Sequence, residues 1–402
     1  MKYLMSLPVL SSASLSSNES SSGVMLAAGP QKHIAVIGAG AFGGWTALNL
    51  LRKGARVTLI DAIEAGNPLA SSGGETRVIR HAYEQRIYVD LVVRALAMWK
   101  ENDKRWGTQL FHQKGVLFMG RERGFIDSAT THMESAGVDI EIIQGSEISR
   151  RYPQLNPENL DWAVYEPGAG YLLARQACMV VRDAFIAEGG NYQLATVAPG
   201  TIRNGEMGGL RLQGGGSLLA DQYVFACGPW LKGLFPEVIG DLITVTRQEL
   251  YYFKPPASHS RAFNQDLPVW AEVGDPFYYG IPGHDGVFKI GDDTRGPEVD
   301  PTTQSRTPTA SGIAAARAFM EYRFPAMKGA EMVDSGVCQY TQSRDYNFII
   351  DRHPRAENTW LVGAGSGHGF KHGPALGEMI AEQVLGGRQP EAAFMLSRFD
   401  AG

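Results

Sequence analysis

HIAVIGAGAFGG, residues His33 to Gly44, is the stretch whose reading decides the fold. His33 to Ile37 form a short apolar run that ends in glycines, the pattern of a buried strand. FGGWTALNLLRKG follows, with Trp45, Leu48 and Leu51 at helical spacing and Gly54 as a stop. ARVTLID then reads as a second strand. Gly38, Gly40 and Gly43 stand in G-x-G-x-x-G register, and Asp61 closes the second strand 23 residues after Gly38. The glycines permit a tight turn and close approach of backbone to a pyrophosphate. The helix start offers free N–H groups to it, and the acid accepts ribose hydroxyls. A lone G-x-G-x-x-G says little, but strand, helix, second strand and acid in sequence point to dinucleotide binding.

Working outward, the 402-residue chain is long for one core, and two domains are expected. Charged residues make up 20% and the net charge is −5, so no strong positive field draws nucleic acid or an anionic membrane. Cys178, Cys227 and Cys338 lie far apart, without a CxxC pair, which argues against a disulfide framework and against a zinc site. No apolar run approaches the roughly 18 residues of a membrane-spanning helix. Residues 1–30 are Ser-rich and almost uncharged. They read as a disordered tail on a monomeric cytoplasmic protein, with export through this segment as the alternative.

Further helices are expected from Tyr88 to about Trp106, in LLARQACMVVRDAFIAEGG, in TPTASGIAAARAFMEYRF and in GPALGEMIAEQVLGG. Strands and loops are expected between about Trp106 and about Glu166. TVTRQELYYF and FYYGIPGHDGVFKIGDD read as antiparallel sheet, and NFIID and TWLVGAG as short buried strands. Parallel signals at both ends and in the middle, with antiparallel signals between, imply an α/β plus α+β fold. A Rossmann-type dinucleotide domain (31–107, 166–230, 333–402) is interleaved with a mixed, largely antiparallel substrate domain (108–165, 231–332).

Four stretches gather polar residues in glycine-rich surroundings. SSGGETRVIRHAY carries Arg77 and Arg80, either a solvated turn or a cationic patch suited to a carboxylate. YYGIPGHDGVFKIGDD places Lys289 on a strand. There it points to solvent, or inward where burial lowers its pKa; Asp292 and Asp293 follow as turn residues or as partners for a cationic group. VCQYTQSRDYNFIID puts Cys338 and Tyr340 on one side of a strand, and a free cysteine is by default a small buried hydrophobe. VGAGSGHGFKHGPALGE is a glycine loop, including Gly367 and Gly369, that ends in Lys371 at a helix start. His81, His368 and His372 read as ordinary loop histidines, His81 being the exception to watch beside Arg80.

Together these motifs, from about His33 to about Leu385, resemble the monomeric sarcosine oxidase family, within the flavin-dependent amine and D-amino acid oxidases. The resemblance implies an FAD enzyme that oxidises secondary or N-substituted amino acids to imines and reduces O2 to H2O2. It implies that Gly38, Gly40, Gly43 and Asp61 bind FAD, with Gly367 and Gly369 beside it. Arg80 and Lys371 would pair with the substrate carboxylate, Arg77 would sit against the flavin ring, and Lys289 would activate oxygen. Tyr279 and Tyr340 would shape the pocket, and Cys338 would join the flavin through a thioether. One departure stands out: sarcosine-oxidising members carry a histidine four residues after the lysine of FKIG, where this chain has Asp293. The resemblance therefore points to a substrate other than sarcosine, with an extra cationic or hydrogen-bonding group. Two other readings share the scaffold: a dehydrogenase passing electrons to a quinone or carrier, and a non-catalytic dinucleotide-binding module.

Overall fold

The glycine-bounded run at His33 is the centre of a six-stranded sheet. The computed structural model describes residues 31–400, so the readings made for residues 1–30 lie outside the described residues. The sheet order is Ile349–His353, Ala356–Gly363, Gln222–Phe225, His33–Ile37, Arg56–Asp61, Asn191–Leu194. All neighbours are parallel except the first pair, which is an antiparallel hairpin. His33–Ile37 is buried at all five positions because Ile34 and Val36 pack among the helices on one face while Ala35 and Ile37 pack with Met207, Leu210 and Phe235 on the other, which is why the strand reads as a continuous apolar run. The helix Ala41–Arg52 packs on one face against Gly373–Val384, whose Gly377 lies flush on the Trp45 backbone.

The second sheet has eight strands in the order Glu331–Ser343, Ile243–Lys254, Phe288–Asp292, Tyr278–Pro282, Val269–Val273, Val116–Gly120, Trp162–Glu166, Glu141–Gln144. Its pairs are antiparallel except Val269–Val273 against Val116–Gly120. A third, three-stranded sheet sets Gly170–Leu173 between Thr76–Ile79 and Phe111–Gln113. The helix Arg86–Trp106 buries Tyr88, Val89, Val92, Ala95, Leu96 and Trp99, and it ends on Gly107 in the left-handed conformation that stops helices.

Three expectations change. Residues 107–166, expected to be strands and loops, also form the helices Gly124–Ser135 and Gly145–Arg151. In the first, Ile126, Ala129, Thr130 and Met133 are buried at helical spacing, a stripe masked by two threonines with weak helix preference. The Arg77 stretch is a strand, Thr76–Ile79, and not a solvated turn. Glu331–Ser343 pairs along its length with Ile243–Lys254, so the change of sheet falls after Ser343 and not near residue 333. That pairing is non-local, between strands about ninety residues apart in the chain, and the segment's own residues carry no sign of it.

Among the described residues no helix is long and apolar enough to cross a membrane, and no group of three or more His, Cys, Asp or Glu could hold a metal ion.

Candidate active site

A cavity of about 910 Å³ runs from the end of the six-stranded sheet to the face of the eight-stranded one. At the first end lie Gly38, Gly40 and Asp61. Gly38 has φ +101°, and a Cβ there would stand 2.4 Å from the Ala226 carbonyl oxygen, so only glycine fits. A Cβ on Gly43 would meet the Gly38 carbonyl oxygen at 1.9 Å; this third glycine sits behind the turn and lets the helix approach, without lining the cavity. Asp61 accepts hydrogen bonds from the Ala39 N–H (2.7 Å) and the Ile63 N–H (3.0 Å), which fix its carboxylate at the cavity wall. Burial pushes its pKa up, and these backbone donors oppose the shift. A bare glycine turn, a helix start at Ala41 and a fixed acid match the pyrophosphate and ribose of a dinucleotide.

The middle of the cavity is built around Arg77. Its guanidinium donates to the Ser71 carbonyl (2.6 Å) and the Thr76 carbonyl (2.8 Å), and lies 3.5 Å from the Cys338 sulfur. Cys338 itself is half-buried just outside the lining, between the lining residues Ser71 and Gln339. Lys289 also stands behind the wall. It is 2% exposed, and its ammonium donates to the Thr76 carbonyl (2.9 Å) and hydroxyl (3.3 Å). The inward alternative holds because Phe288, Lys289 and Ile290 are all buried: this strand is covered on both faces. Burial and, secondly, the nearby Arg77 charge bring the Lys289 pKa down to about 7.

The far end holds Arg80, Lys371, Tyr279, Tyr340 and Asp293. Arg80 donates to the Ala82 carbonyl and stacks 4.1 Å over the Tyr83 ring. Lys371, 5% exposed, donates to the Tyr83 hydroxyl and the His368 carbonyl, both at 2.9 Å. These hydrogen bonds run to neutral acceptors, so the two cations are set up for an anion. Across from them Tyr340 donates to Asp293 (2.8 Å), whose other oxygen lies 3.1 Å from Arg295. Gly367, at φ +82°, leaves room for the Tyr340 ring, which a Cβ would meet at 2.7 Å. Gly369 lines the same wall.

Thus Gly38, Gly40, Asp61, Arg77, Arg80, Tyr279, Asp293, Tyr340, Gly367, Gly369 and Lys371 line one cavity, while Gly43, Lys289 and Cys338 stand directly behind it. The histidine reading reverses. His81 is locked to the buried Glu166 by its ring and its backbone N–H (3.0 Å), away from the cavity. His368 lines the cavity, and both His368 and His372 reach the Tyr83 hydroxyl. Sequence reasoning passed over Tyr83 and Arg295. Each lies two or three residues from a residue that was singled out, and that proximity was the available signal. Cys178 is buried in the core; Cys227 lines the dinucleotide end with its sulfur 3.5 Å from the Ile37 carbonyl oxygen, and burial pushes both thiols up.

Comparison with known proteins accords with this geometry. The family model described as FAD dependent oxidoreductase matches residues 33–383. Monomeric sarcosine oxidase of Bacillus sp. (strain B-0618) is 30% identical over 374 residues, covering 88% of this chain and 92% of that protein. N-methyl-L-tryptophan oxidase of Salmonella heidelberg (strain SL476) is 29% identical, covering 90% and 98%. Among solved structures, L-proline dehydrogenase from P. horikoshii superposes with a TM-score of 0.80 at 22% identity, covering 92% of this chain and 98% of that one. A thermally stable mutant of fructosyl peptide oxidase does so with a TM-score of 0.79 at 19% identity, covering 91% and 93%. The structural likenesses establish the fold.

Proposed function

The chain belongs to the FAD dependent oxidoreductase family, and on that premise we propose that it oxidises a secondary or N-substituted amino acid to the imine, with O2 reduced to H2O2 and the flavin held covalently by Cys338. FAD would lie along the cavity, with its pyrophosphate on the Gly38–Ala41 turn, ribose on Asp61 and ring beside Arg77; the six-stranded sheet would carry it and the eight-stranded sheet cover it. FAD, when bound, would supply the redox chemistry, an acceptor of two electrons from the C–N unit of the amine and a donor of them to O2. The chain's residues orient the reactants and place charge.

The observation that carries this reading is the pair Arg80 and Lys371, two cations that donate to neutral oxygens at one end of a cavity whose other end fits a dinucleotide. A substrate carboxylate clamped there leaves its amine turned toward the middle of the cavity. Lys289, with its pKa brought down to about 7, carries its positive charge behind Arg77 at and below neutral pH, where it would favour the reduction of O2, an anion-forming step. Cys338 is one residue from the lining, with the Arg77 guanidinium 3.5 Å from its sulfur, so a flavin ring beside Arg77 would lie next to this thiol.

Asp293 sets the polarity of the remaining wall. Because Arg295 lies 3.1 Å from it, the pair presents a donor and an acceptor with little net charge. This suits a substrate group that both donates and accepts hydrogen bonds better than a purely cationic one.

Turnover of N-substituted amino acids in air, followed with an oxygen electrode and a peroxide assay, tests the reading. One H2O2 per O2 consumed is expected. Turnover that needs an added quinone or carrier and yields no peroxide would assign the chain to the dehydrogenases.

A further inference from the structure

One wall of the cavity is built almost wholly of rings. Phe118, Ala271 and Tyr279 are register partners on three neighbouring strands of the eight-stranded sheet, so they stand in a row on its cavity face. Phe125, in the first turn of the helix Gly124–Ser135, adjoins Phe118 with ring centres 6.0 Å apart. Phe277 precedes Tyr279 by two residues, and both line the cavity. Four aromatic side chains therefore gather around one small residue.

The sheet sets the width of the gap over that residue. Neighbouring strands lie about 4.7–4.9 Å apart, so the backbones of Phe118 and Tyr279, one strand to either side of Ala271, are separated by roughly 9–10 Å. The Tyr279 ring lies across Gly291 on the next strand, where a Cβ would meet it at 2.8 Å, and so leans away from Ala271. Ala271 is left as the floor of a slot. Aromatic rings pack with their centres about 4.5–7 Å apart, so a slot of this width admits one flat ring in contact with both walls. Behind the slot Phe118 and Ala271 belong to a buried apolar cluster, yet Phe125, Phe277 and Tyr279 are only half-buried. Apolar ring surface is thus turned to the cavity, where a ligand can cover it.

Arg80 ties this wall to the carboxylate clamp, since its guanidinium stands 5.4 Å from the centre of the Phe118 ring. We infer that the slot over Ala271 takes the side chain of the substrate amino acid and that this side chain is aromatic; the inference deepens the amino acid oxidase reading and rests on it. With the carboxylate on Arg80 and Lys371 and the amine turned toward the middle of the cavity, the remaining large substituent of the α-carbon enters between Phe118 and Tyr279. A flat ring meets both aromatic walls face or edge on, whereas a branched aliphatic chain offers neither a flat face. Ala271 is the residue that sets this specificity, because any larger side chain there would fill the slot from below. The Asp293 N–H donates to the Phe277 carbonyl (2.7 Å), so the hydrogen-bonding pair Asp293 and Arg295 borders the aromatic wall.

The test measures kcat/KM of the flavin-loaded enzyme for the N-methyl derivatives of alanine, leucine and phenylalanine, each as the racemate. Burial of the ring should make the phenylalanine derivative better than the alanine one by about 10- to 100-fold, and better than the leucine one. Equal values for phenylalanine and alanine, or a leucine derivative as good as phenylalanine, would overturn the inference. Ala271→Leu should lower the phenylalanine-to-alanine ratio by about 10-fold or more. A loss of equal size on both substrates would mean that Ala271 only supports the sheet, and would overturn it too. Carboxylates that cannot be oxidised give a second readout on the wild type. Phenylacetate should perturb the flavin absorbance with a Kd about 10- to 100-fold below that of acetate. Equal constants would overturn the slot, even should Ala271→Leu fail to hold flavin. A wild type that oxidised no N-substituted amino acid would instead refute the oxidase reading, and the two dissociation constants would still decide the slot.

Discussion

Lys289→Met should stabilise the flavin-free protein in acid and destabilise it in base. Lys289 is 2% exposed and its ordinary pKa of 10.5 falls to about 7 in the fold. Below pH 7 the folded and unfolded chains both carry this proton, and burial of the charge costs the fold its full penalty. Between about pH 7 and 10.5 the unfolded state holds more protons than the folded one, so the wild type gains stability as pH rises. A shift from 10.5 to about 7, at about 1.36 kcal/mol per unit, makes the penalty roughly 5 kcal/mol at pH 6 and about 1 kcal/mol at pH 10. Methionine removes the penalty but takes one donor from the Thr76 hydroxyl and carbonyl, the carbonyl keeping its Arg77 donor, which costs about 1–3 kcal/mol at any pH. The variant should therefore be more stable than wild type by about 2–4 kcal/mol at pH 6, and of equal or lower stability by up to about 2 kcal/mol at pH 10. Urea unfolding of both proteins without flavin, at four pH values from 6 to 10, reads this difference directly. A difference that stays constant across that range, or that grows with pH, would refute the reasoning. Turnover in air should fall by about 10² or more in the same variant, because the cation is kept for the reaction at the fold's expense.

Other substitutions probe the remaining parts. Arg80→Met and Lys371→Met should each raise KM for the amino acid about 10- to 100-fold, from the loss of one charge-assisted hydrogen bond worth about 1.5–3 kcal/mol; a KM within twofold of wild type would move the carboxylate elsewhere. Cys338→Ser should release all its flavin into the supernatant on acid precipitation, where wild type keeps a yellow pellet; a colourless wild-type pellet would end the covalent assignment. Gly38→Ala should abolish FAD binding, because its Cβ would stand 2.4 Å from a backbone oxygen at a φ of +101°; flavin retained after gel filtration would contradict that. Asp293→Asn should change the ranking of substrates while flavin content stays the same, and an unchanged ranking would remove Asp293 from specificity.

Much of the cavity was legible because its chemistry is local in sequence. The Gly38 turn, its helix and Asp61 lie within one βαβ unit, and Gly74 clears space for Arg77, whose guanidinium a Cβ there would meet at 2.5 Å. What could not be read is what depends on distant pairing. The strand carrying Cys338 joins the eight-stranded sheet through Ile243–Lys254, so its sheet was misassigned although its residues were marked. Lys289 read first as solvent-facing and only then as inward, because alternation does not show that a strand is covered on both faces. His81 and His368 exchanged importance because their partners, Glu166 and Tyr83, lie 85 and 285 residues away respectively. Arg295 gave no sign of its role, since an arginine after two acids reads as surface charge until the fold turns it over the Tyr340 ring, 5.2 Å from its centre.

The central claim is that a flavin in this cavity oxidises amino acids through a substituted nitrogen. Anaerobic titration of the purified holoenzyme with matched N-substituted amino acids, unsubstituted amino acids and amines lacking a carboxylate tests it most directly. The account predicts that the first group bleaches the flavin absorbance fastest and that removal of the carboxylate abolishes the response. Bleaching by unsubstituted amino acids alone, or by amines irrespective of a carboxylate, would contradict it.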